Sequence, residues 1–375
     1  MEFLAKEREV LQNYLPDLEL SLDEVPFIDL EKPGSPAIGI FKESGGGKVL
    51  IPTEYGGLGA DPVEAIQIHR AIGSIAPSLA VAITMHNFSV ATFVEMCQNS
   101  RGLEGLLLEG IARQNLLLAS GFAEGHPNQE ILSPTMHAER TKQGVVINGR
   151  KRPCSLSYSM DLLTASVLVQ NDSNGKLETA IALISAKSQG LSRQKFWDSW
   201  ILAGTESDEI LLKDVLVEED LLFPLFDQDQ LDSTQISGFL WFELLITASY
   251  LGIASGLVER VLRANRGLVS EKAFLGVELE AAEAALECIA LNLKNGLKDR
   301  DQLARMLFVR YSVQSAIEKT STLAAEILGG MAFIRSSEVS YLYSASRALA
   351  FHPPSRSMAA PDLVDYLNGE AMQIR

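Results

Sequence analysis

The chain has 375 residues, 47% hydrophobic and 21% charged, which excludes wholesale disorder and allows two or three domains or one large composite unit. Its formal net charge of −16, with no Lys/Arg cluster, argues against a nucleic-acid partner and leaves any anionic ligand to a local gathering of positive groups. Cys97, Cys154 and Cys288 are far apart and odd in number, without metal-ligand spacing; they read as reduced thiols in a cytoplasmic protein.

The N-terminus, Met1-Glu2-Phe3-Leu4-Ala5-Lys6-Glu7-Arg8, is too charged for a secretory signal. Residues 1–115 read as a helical domain. Pro62–Ile75 carries Val63, Ile66, Ile68 and Ile72 at helical spacing, and Leu79–Met96 is a nearly all-apolar, buried helix. Between the early helices, Ile51-Pro52-Thr53-Glu54-Tyr55-Gly56-Gly57-Leu58-Gly59 is a loop whose glycines permit positive φ.

The texture changes at residue 116, and 116–234 reads as a small β-barrel domain. Val145–Lys151 is a strand running into an Asn148-Gly149 turn; Leu162–Val169, Thr179–Ile184 and Ile210–Val217 are further β-rich runs. Turn residues separate them, including Asn171-Asp172-Ser173-Asn174-Gly175 and Gln189-Gly190. Residues 235–375 return to the helical period: Gly238–Asn265, Glu271–Asn295, Arg300–Ile327 and a last helix from about Ser336 predict an antiparallel four-helix bundle. The apolar run Phe239–Leu257 is broken by Glu243, Thr247, Ser249 and Ser255, and reads as a buried helix rather than a membrane span. The expected class is α+β, mainly α.

Four motifs in this order resemble the acyl-CoA dehydrogenase superfamily over essentially the whole chain. They are the Ile51–Gly59 loop, the Asn148-Gly149-Arg150-Lys151 segment, Trp200 through Gly204-Thr205-Glu206-Ser207-Asp208-Glu209-Ile210, and Leu328-Gly329-Gly330. The resemblance implies a β barrel between two helical domains, FAD or FMN at their junction, and a homodimer or homotetramer that completes the flavin site across subunits. It assigns flavin contacts to Phe122, Ala123, Glu124, Cys154, Ser155, Gly329 and Gly330, and no metal.

The departures bear on chemistry. The family's T-E-P-x-x-G-S-D segment appears as Ala123-Glu124-Gly125-His126-Pro127-Asn128-Gln129-Glu130, and its Trp after the N-G-x-K turn is replaced at Pro153-Cys154-Ser155, where Ser155 keeps a hydroxyl. The Arg-x-x-Phe-Gly phosphate segment is not clear around Arg266–Phe274, and Tyr343-Ser344 replaces an Arg-Asp pair. His352, in Phe351-His352-Pro353-Pro354, stands where many members carry the glutamate base. A related group of the same fold, dibenzothiophene-monooxygenase-like and amine-N-hydroxylase-like, uses reduced flavin and oxygen; Cys154-Ser155, His86 and His352 match it in kind and rough position.

The candidate catalytic residues are therefore His352, Glu243, His86 and Ser155. A flavin dehydrogenase needs a base, and either His352 or Glu243 could serve. Glu243 lies one residue, about 100° of helix, beyond the position some members use. Buried among Phe239, Leu240, Trp241, Phe242, Leu244 and Leu245, it needs a raised pKa or a cationic partner such as Arg347 or Arg356. His86 is equally readable as a satisfied core histidine, and His126 and His137 as surface residues. The preferred expectation is a flavin-dependent oxidoreductase acting on an acyl thioester (CoA or carrier-protein linked) or a specialised-metabolism intermediate. The alternatives are a reduced-flavin monooxygenase served by a separate reductase, and a non-catalytic degenerate member. No nucleic acid and no membrane are expected as partners.

Overall fold

A computed structural model describes residues 2–99, 103–125, 134–170, 175–225 and 233–373. His126 through Glu130 and the Asn171–Asn174 part of the expected turn lie outside these residues.

Among the described residues seven α-helices open the chain: α1 (Ala5–Tyr14), α2 (Leu18–Asp23), α3 (Phe27–Glu31), α4 (Ala37–Glu43), α5 (Pro62–Ile75), α6 (Pro77–Asn99) and α7 (Leu103–Gln114). The Ile51–Gly59 loop precedes α5, with Gly56 at φ 81° and Gly59 at φ 68°. Helix α5 starts where Asp61 accepts from the Val63 and Glu64 N–H groups while the Glu64 carboxylate reaches back to the Asp61 N–H, a capping box with Pro62 in the first turn.

Eight strands follow among the described residues: β1 (Leu118–Gly121), β2 (His137–Thr141), β3 (Gly144–Cys154), β4 (Leu162–Gln170), β5 (Leu177–Ser185), β6 (Leu191–Gln194), β7 (Asp208–Val217) and β8 (Leu222–Leu225). They form one sheet in the order β6-β7-β3-β2-β4-β5-β8, with β1 beside β4. The sequence predicts a barrel, but among the described residues β6 and β8 share no ladder; both ends are four-residue strands, too short for extended pairing. Strand β4 is buried on both faces, which is why it reads as a continuous apolar run.

Asn148-Gly149 is not a turn. It lies inside β3 at a register shift against β7, with Gly149 at φ 151° and the Asn148 side chain accepting from the Asp214 N–H. A Cβ on Gly149 would meet the Met136 sulfur at 2.4 Å, so packing from the strand side selects a bulge over a hairpin.

The C-terminal helices are α8 (Ser233–Arg263), α9 (Val269–Lys294), α10 (Arg300–Leu328), α11 (Gly330–Arg335), α12 (Ser337–Ser346) and α13 (Arg356–Leu367). The expected fourth long helix is instead three short ones. Gly329 at φ 82° ends α10, and Pro353-Pro354, unable to continue a helix, separates α12 and its 3₁₀ extension from α13. Helices α6 and α8 contain Pro77–Cys97 and Thr234–Arg263, long and apolar enough to span a membrane, yet both are packed inside the protein. The fold is thus mainly helical around a central sheet.

Helix α8 approaches α5 at backbone distance. A Cβ on Gly73 would lie 2.3 Å from the Ser249 carbonyl, and one on Gly252 2.3 Å from the Arg70 carbonyl. Gly252→Ala should therefore destabilise the protein by about 1–3 kcal/mol in chemical denaturation, the usual cost of overpacking. Gly276→Ala on α9, where a Cβ meets nothing within 4 Å, should be neutral or stabilising. Equal effects of the two would contradict the close approach.

Candidate active site

A cavity of about 460 Å³ opens where the sheet meets α6, α8 and the segment after α12. Val81, Met85 and Phe88 of α6 and Phe239 and Phe242 of α8 form apolar walls. Phe88 and Phe242 pack edge to face, with centroids 5.5 Å apart. The end of β1 supplies Ser120 and the following Phe122, Ala123, Glu124 and Gly125; β3 supplies Arg152 and Pro153, followed by Ser155. Trp197, Thr205 and Ser207 come from the β6–β7 connection, and Ala348, Phe351, His352 and Pro353 from the C-terminal segment. Five expected residues therefore line one cavity: His352, Ser155, Phe122, Ala123 and Glu124.

The Ser155 hydroxyl belongs to a directed chain. Thr205 Oγ1 donates to the Leu202 carbonyl at 2.7 Å, so at its 2.6 Å contact with Ser207 Oγ it accepts. Ser207 then has no second proton to give, and Ser155 Oγ, 2.8 Å away, donates to it. Ser155 thus presents lone pairs to the cavity and can accept an N–H. Arg152 adds a donor: its Nε is buried without a hydrogen-bond partner, and the guanidinium lies 5.5 Å over the Phe196 ring.

His352 is half-buried. Its Nε2 lies 2.9 Å from Tyr250 Oη, and burial, helped by the nearby Arg310 charge, pushes its pKa down to about 3. The imidazole is neutral at physiological pH and presents one N–H and one lone pair.

The other expected residues are not on the cavity wall. His86 is fully buried, with Nε2 2.9 Å from the Gly47 carbonyl and Nδ1 accepting from the Leu118 N–H at 3.0 Å. Both ring nitrogens are spent on backbone groups, so it ties the 3₁₀ turn Gly46–Lys48 to β1. Burial lowers its pKa to about 4, which keeps it in that neutral, doubly bonded form. Glu243 is also fully buried, but its cation is Arg310, with Nε 3.0 Å from Oε2, not Arg347 or Arg356. Burial pushes the Glu243 carboxyl up, and the Arg310 charge beside it pulls it back toward the ionised form. The Cys154 thiol faces the Ser120 carbonyl at 3.5 Å and burial pushes it up to about 12, which makes it inert packing. Gly329 and Gly330 sit at the end of α10 with open space where a Cβ would be. Glu124 lines the cavity, but its carboxylate takes the Lys151 ammonium at 2.8 Å and the Thr135 N–H and hydroxyl; these outweigh burial and hold its pKa at about 2. His137 is exposed.

Sequence reasoning missed Tyr250, Arg152, Thr205 and Ser207. The last two sit in the quoted Gly204–Ile210 motif and were available as hydroxyls; Tyr250 lies two helical turns from Glu243 and gave no local signal.

His86→Ala should lower stability by about 1–3 kcal/mol, because it leaves a buried carbonyl and N–H without partners. Flavin binding should stay within about two-fold, since His86 is off the cavity wall. A large loss of flavin affinity with unchanged stability would overturn this assignment.

A flavin ring system is flat and amphipathic, with carbonyl and ring-nitrogen edges. The aromatic walls, the Ser155 lone pairs and the unpartnered Arg152 Nε fit such a group.

Comparison with known proteins agrees. The family described as acyl-CoA dehydrogenase, N-terminal domain, matches residues 21–100. An isobutylamine N-hydroxylase of Streptomyces viridifaciens is 42% identical over 379 aligned residues, covering 100% of both chains. A dibenzothiophene monooxygenase of Rhodococcus erythropolis is 31% identical over 216 residues, 56% of this chain and 51% of that one. Among solved structures, a KijD3 in complex with FMN and a dTDP-amino sugar superposes with TM-score 0.85 at 15% identity, over 98% of this chain and 95% of that one. FMN-bound TdsC from Paenibacillus sp. A11-2 gives 0.80 at 19%, over 99% and 98%. At such identities these two structures speak to fold alone. The full-length relative decides the matter: the chain belongs to the acyl-CoA dehydrogenase superfamily, as a flavin-dependent oxidoreductase whose close homologues are monooxygenases.

Proposed function

We propose that the protein hydroxylates the nitrogen of a small, apolar primary amine, with reduced flavin and molecular oxygen as co-substrates. One observation carries this reading. The polar groups offered to the cavity by His352, Tyr250 and Ser155 are neutral hydrogen-bonding side chains within aromatic walls, while Glu243, the acid expected as a base, is locked against Arg310. Removal of an α-proton from an acyl thioester calls for a placed base; Glu124 is the one carboxylate on the described wall, and it is tied to Lys151. The full-length similarity to an isobutylamine N-hydroxylase supports an amine as substrate.

The balance is amine plus O₂ plus two electrons and two protons giving hydroxylamine plus water. When bound, reduced flavin would supply the two electrons and activate the oxygen. Phe88, Phe239 and Phe242 exclude water from the reacting nitrogen. Ser155 accepts an N–H from the cavity through its free lone pairs. His352 with Tyr250 forms a neutral hydrogen-bonding pair that orients the amine nitrogen, because burial and Arg310 keep its imidazole uncharged.

FMN or FAD fits this reading, FMN being the flavin in the two superposed structures. A separate flavin reductase would supply the reduced form, in the cytoplasm. A three-domain division at 115 and 234 is our reading of the element order. Second copies of the chain would cover Met331, Phe333 and Ile334 of α11 with Leu268 and Val269, all exposed in the single chain, and bring Gly329–Gly330 to a neighbour's flavin; light scattering reads this directly.

With a reductase, NAD(P)H, FMN and a four-carbon branched amine, hydroxylamine should form. His352→Asn should lower product per reduced flavin by about 10²-fold, diverting the electrons to hydrogen peroxide. Bleaching of bound oxidised flavin by acyl-CoA, with no product from any amine, would overturn the proposal.

A further inference from the structure

Arg310 is fully buried on α10, between α8 and the segment that carries His352. Its Nη1 donates to the Pro354 carbonyl at 2.6 Å, and its Nη2 to the carbonyls of His352 at 2.7 Å and Leu349 at 3.2 Å. Its Nε faces Glu243 Oε2 at 3.0 Å. The segment from Leu349 to Pro354 leaves a 3₁₀ turn, where the Leu349 carbonyl also accepts from the His352 N–H at 3.2 Å, and enters two prolines, so no helical ladder takes up the His352 and Pro354 carbonyls. The guanidinium gathers three carbonyls, with Tyr311 Oη adding a bond to the Pro354 carbonyl at 2.9 Å.

Glu243 and Tyr250 are seven residues apart on α8, two turns along one face. Glu243 holds Arg310, which holds the His352 backbone; Tyr250 holds the His352 ring. Both Glu243 oxygens lack a well-formed hydrogen bond, so Glu243 acts as a counter-charge rather than as a directional acceptor.

We propose that Arg310, neutralised by Glu243, is the positioning residue for His352: it fixes the carbonyls of Leu349, His352 and Pro354 so that the imidazole meets Tyr250 at the cavity wall. Lysine cannot substitute, because a point ammonium cannot serve three separated carbonyls and a carboxylate as a planar fork does. Glutamine at 243 would keep the volume but leave the guanidinium without its counter-charge. What His352 does in turnover rests on the proposed amine hydroxylation; where it is held does not.

The test uses full-length protein labelled with nitrogen-15 in its histidines. Arg310→Lys, Glu243→Gln, His352→Asn and the Arg310→Lys/His352→Asn double variant are compared by melting temperature, histidine ring shifts and hydroxylamine formed per reduced flavin. We expect Arg310→Lys to fold, to move the His352 ring signals away from the Tyr250-bonded position, and to lower product coupling about ten-fold. In the double variant it should add nothing to His352→Asn, because both act through one group. Unmoved ring signals, or effects that multiply in the double variant, would overturn the proposal. Should Arg310→Lys fail to fold, Glu243→Gln carries the same expectation for the ring signals, and unmoved signals there overturn it equally. If the parent protein makes no hydroxylamine the functional reading falls, while the ring signals still decide the positioning role.

Discussion

Helix α8 runs through the middle of the molecule, and its burial dictates much of the rest. A helix enclosed on every side carries polar residues at least cost where they find partners inside the protein. Glu243 takes Arg310, Ser249 meets His69 Nδ1 at 2.9 Å, Tyr250 meets His352, and Ser255 accepts from Arg70 Nε at 3.2 Å. Arg70 in turn binds Glu7 and Glu280, each at 2.7 Å, which draws α1 and α9 onto the same axis. The glycines at 73 and 252 let α5 come close enough for these bonds. The apolar face of the same helix supplies Phe239 and Phe242 to the cavity. Stability and site are two faces of one element.

That arrangement gives the histidines different tasks. His69 and His86 are spent on the interior: His69 on Ser249 and Asn87, His86 on the Gly47 carbonyl and the Leu118 N–H. His352 reaches the cavity because its backbone is gripped from behind. Its depressed pKa follows first from burial and then from Arg310, so a neutral imidazole comes with the way the segment is anchored.

The sequence made the long helices and the Ile51–Gly59 loop legible because their signals are local: apolar spacing and glycines where φ is positive. Strands β1, β6 and β8 are four residues each, too short for a period to show. Asn148-Gly149 misled because the dipeptide allows a hairpin turn, while contacts with Met136 and β7 make it a bulge. Motif position pointed to Ser155 and His352, which line the cavity, and equally to His86, which does not, since the partners of His86 are backbone atoms with no residue identity to read. Glu243 was recognisable as a buried acid that needs a cation; that the cation is Arg310 depends on how α10 packs on α8, which no local pattern encodes.

An aromatic-walled cavity, with His352, Tyr250 and Ser155 as its neutral hydrogen-bonding groups, directs oxygen to an amine nitrogen. A single turnover reads this most directly: the protein with anaerobically reduced FMN and a small branched primary amine is mixed with ¹⁸O₂, and the product is weighed by mass spectrometry. The expected product is a hydroxylamine carrying one ¹⁸O atom, with little labelled hydrogen peroxide. Unlabelled amine recovered in full, with all reducing equivalents appearing as labelled peroxide, would contradict it.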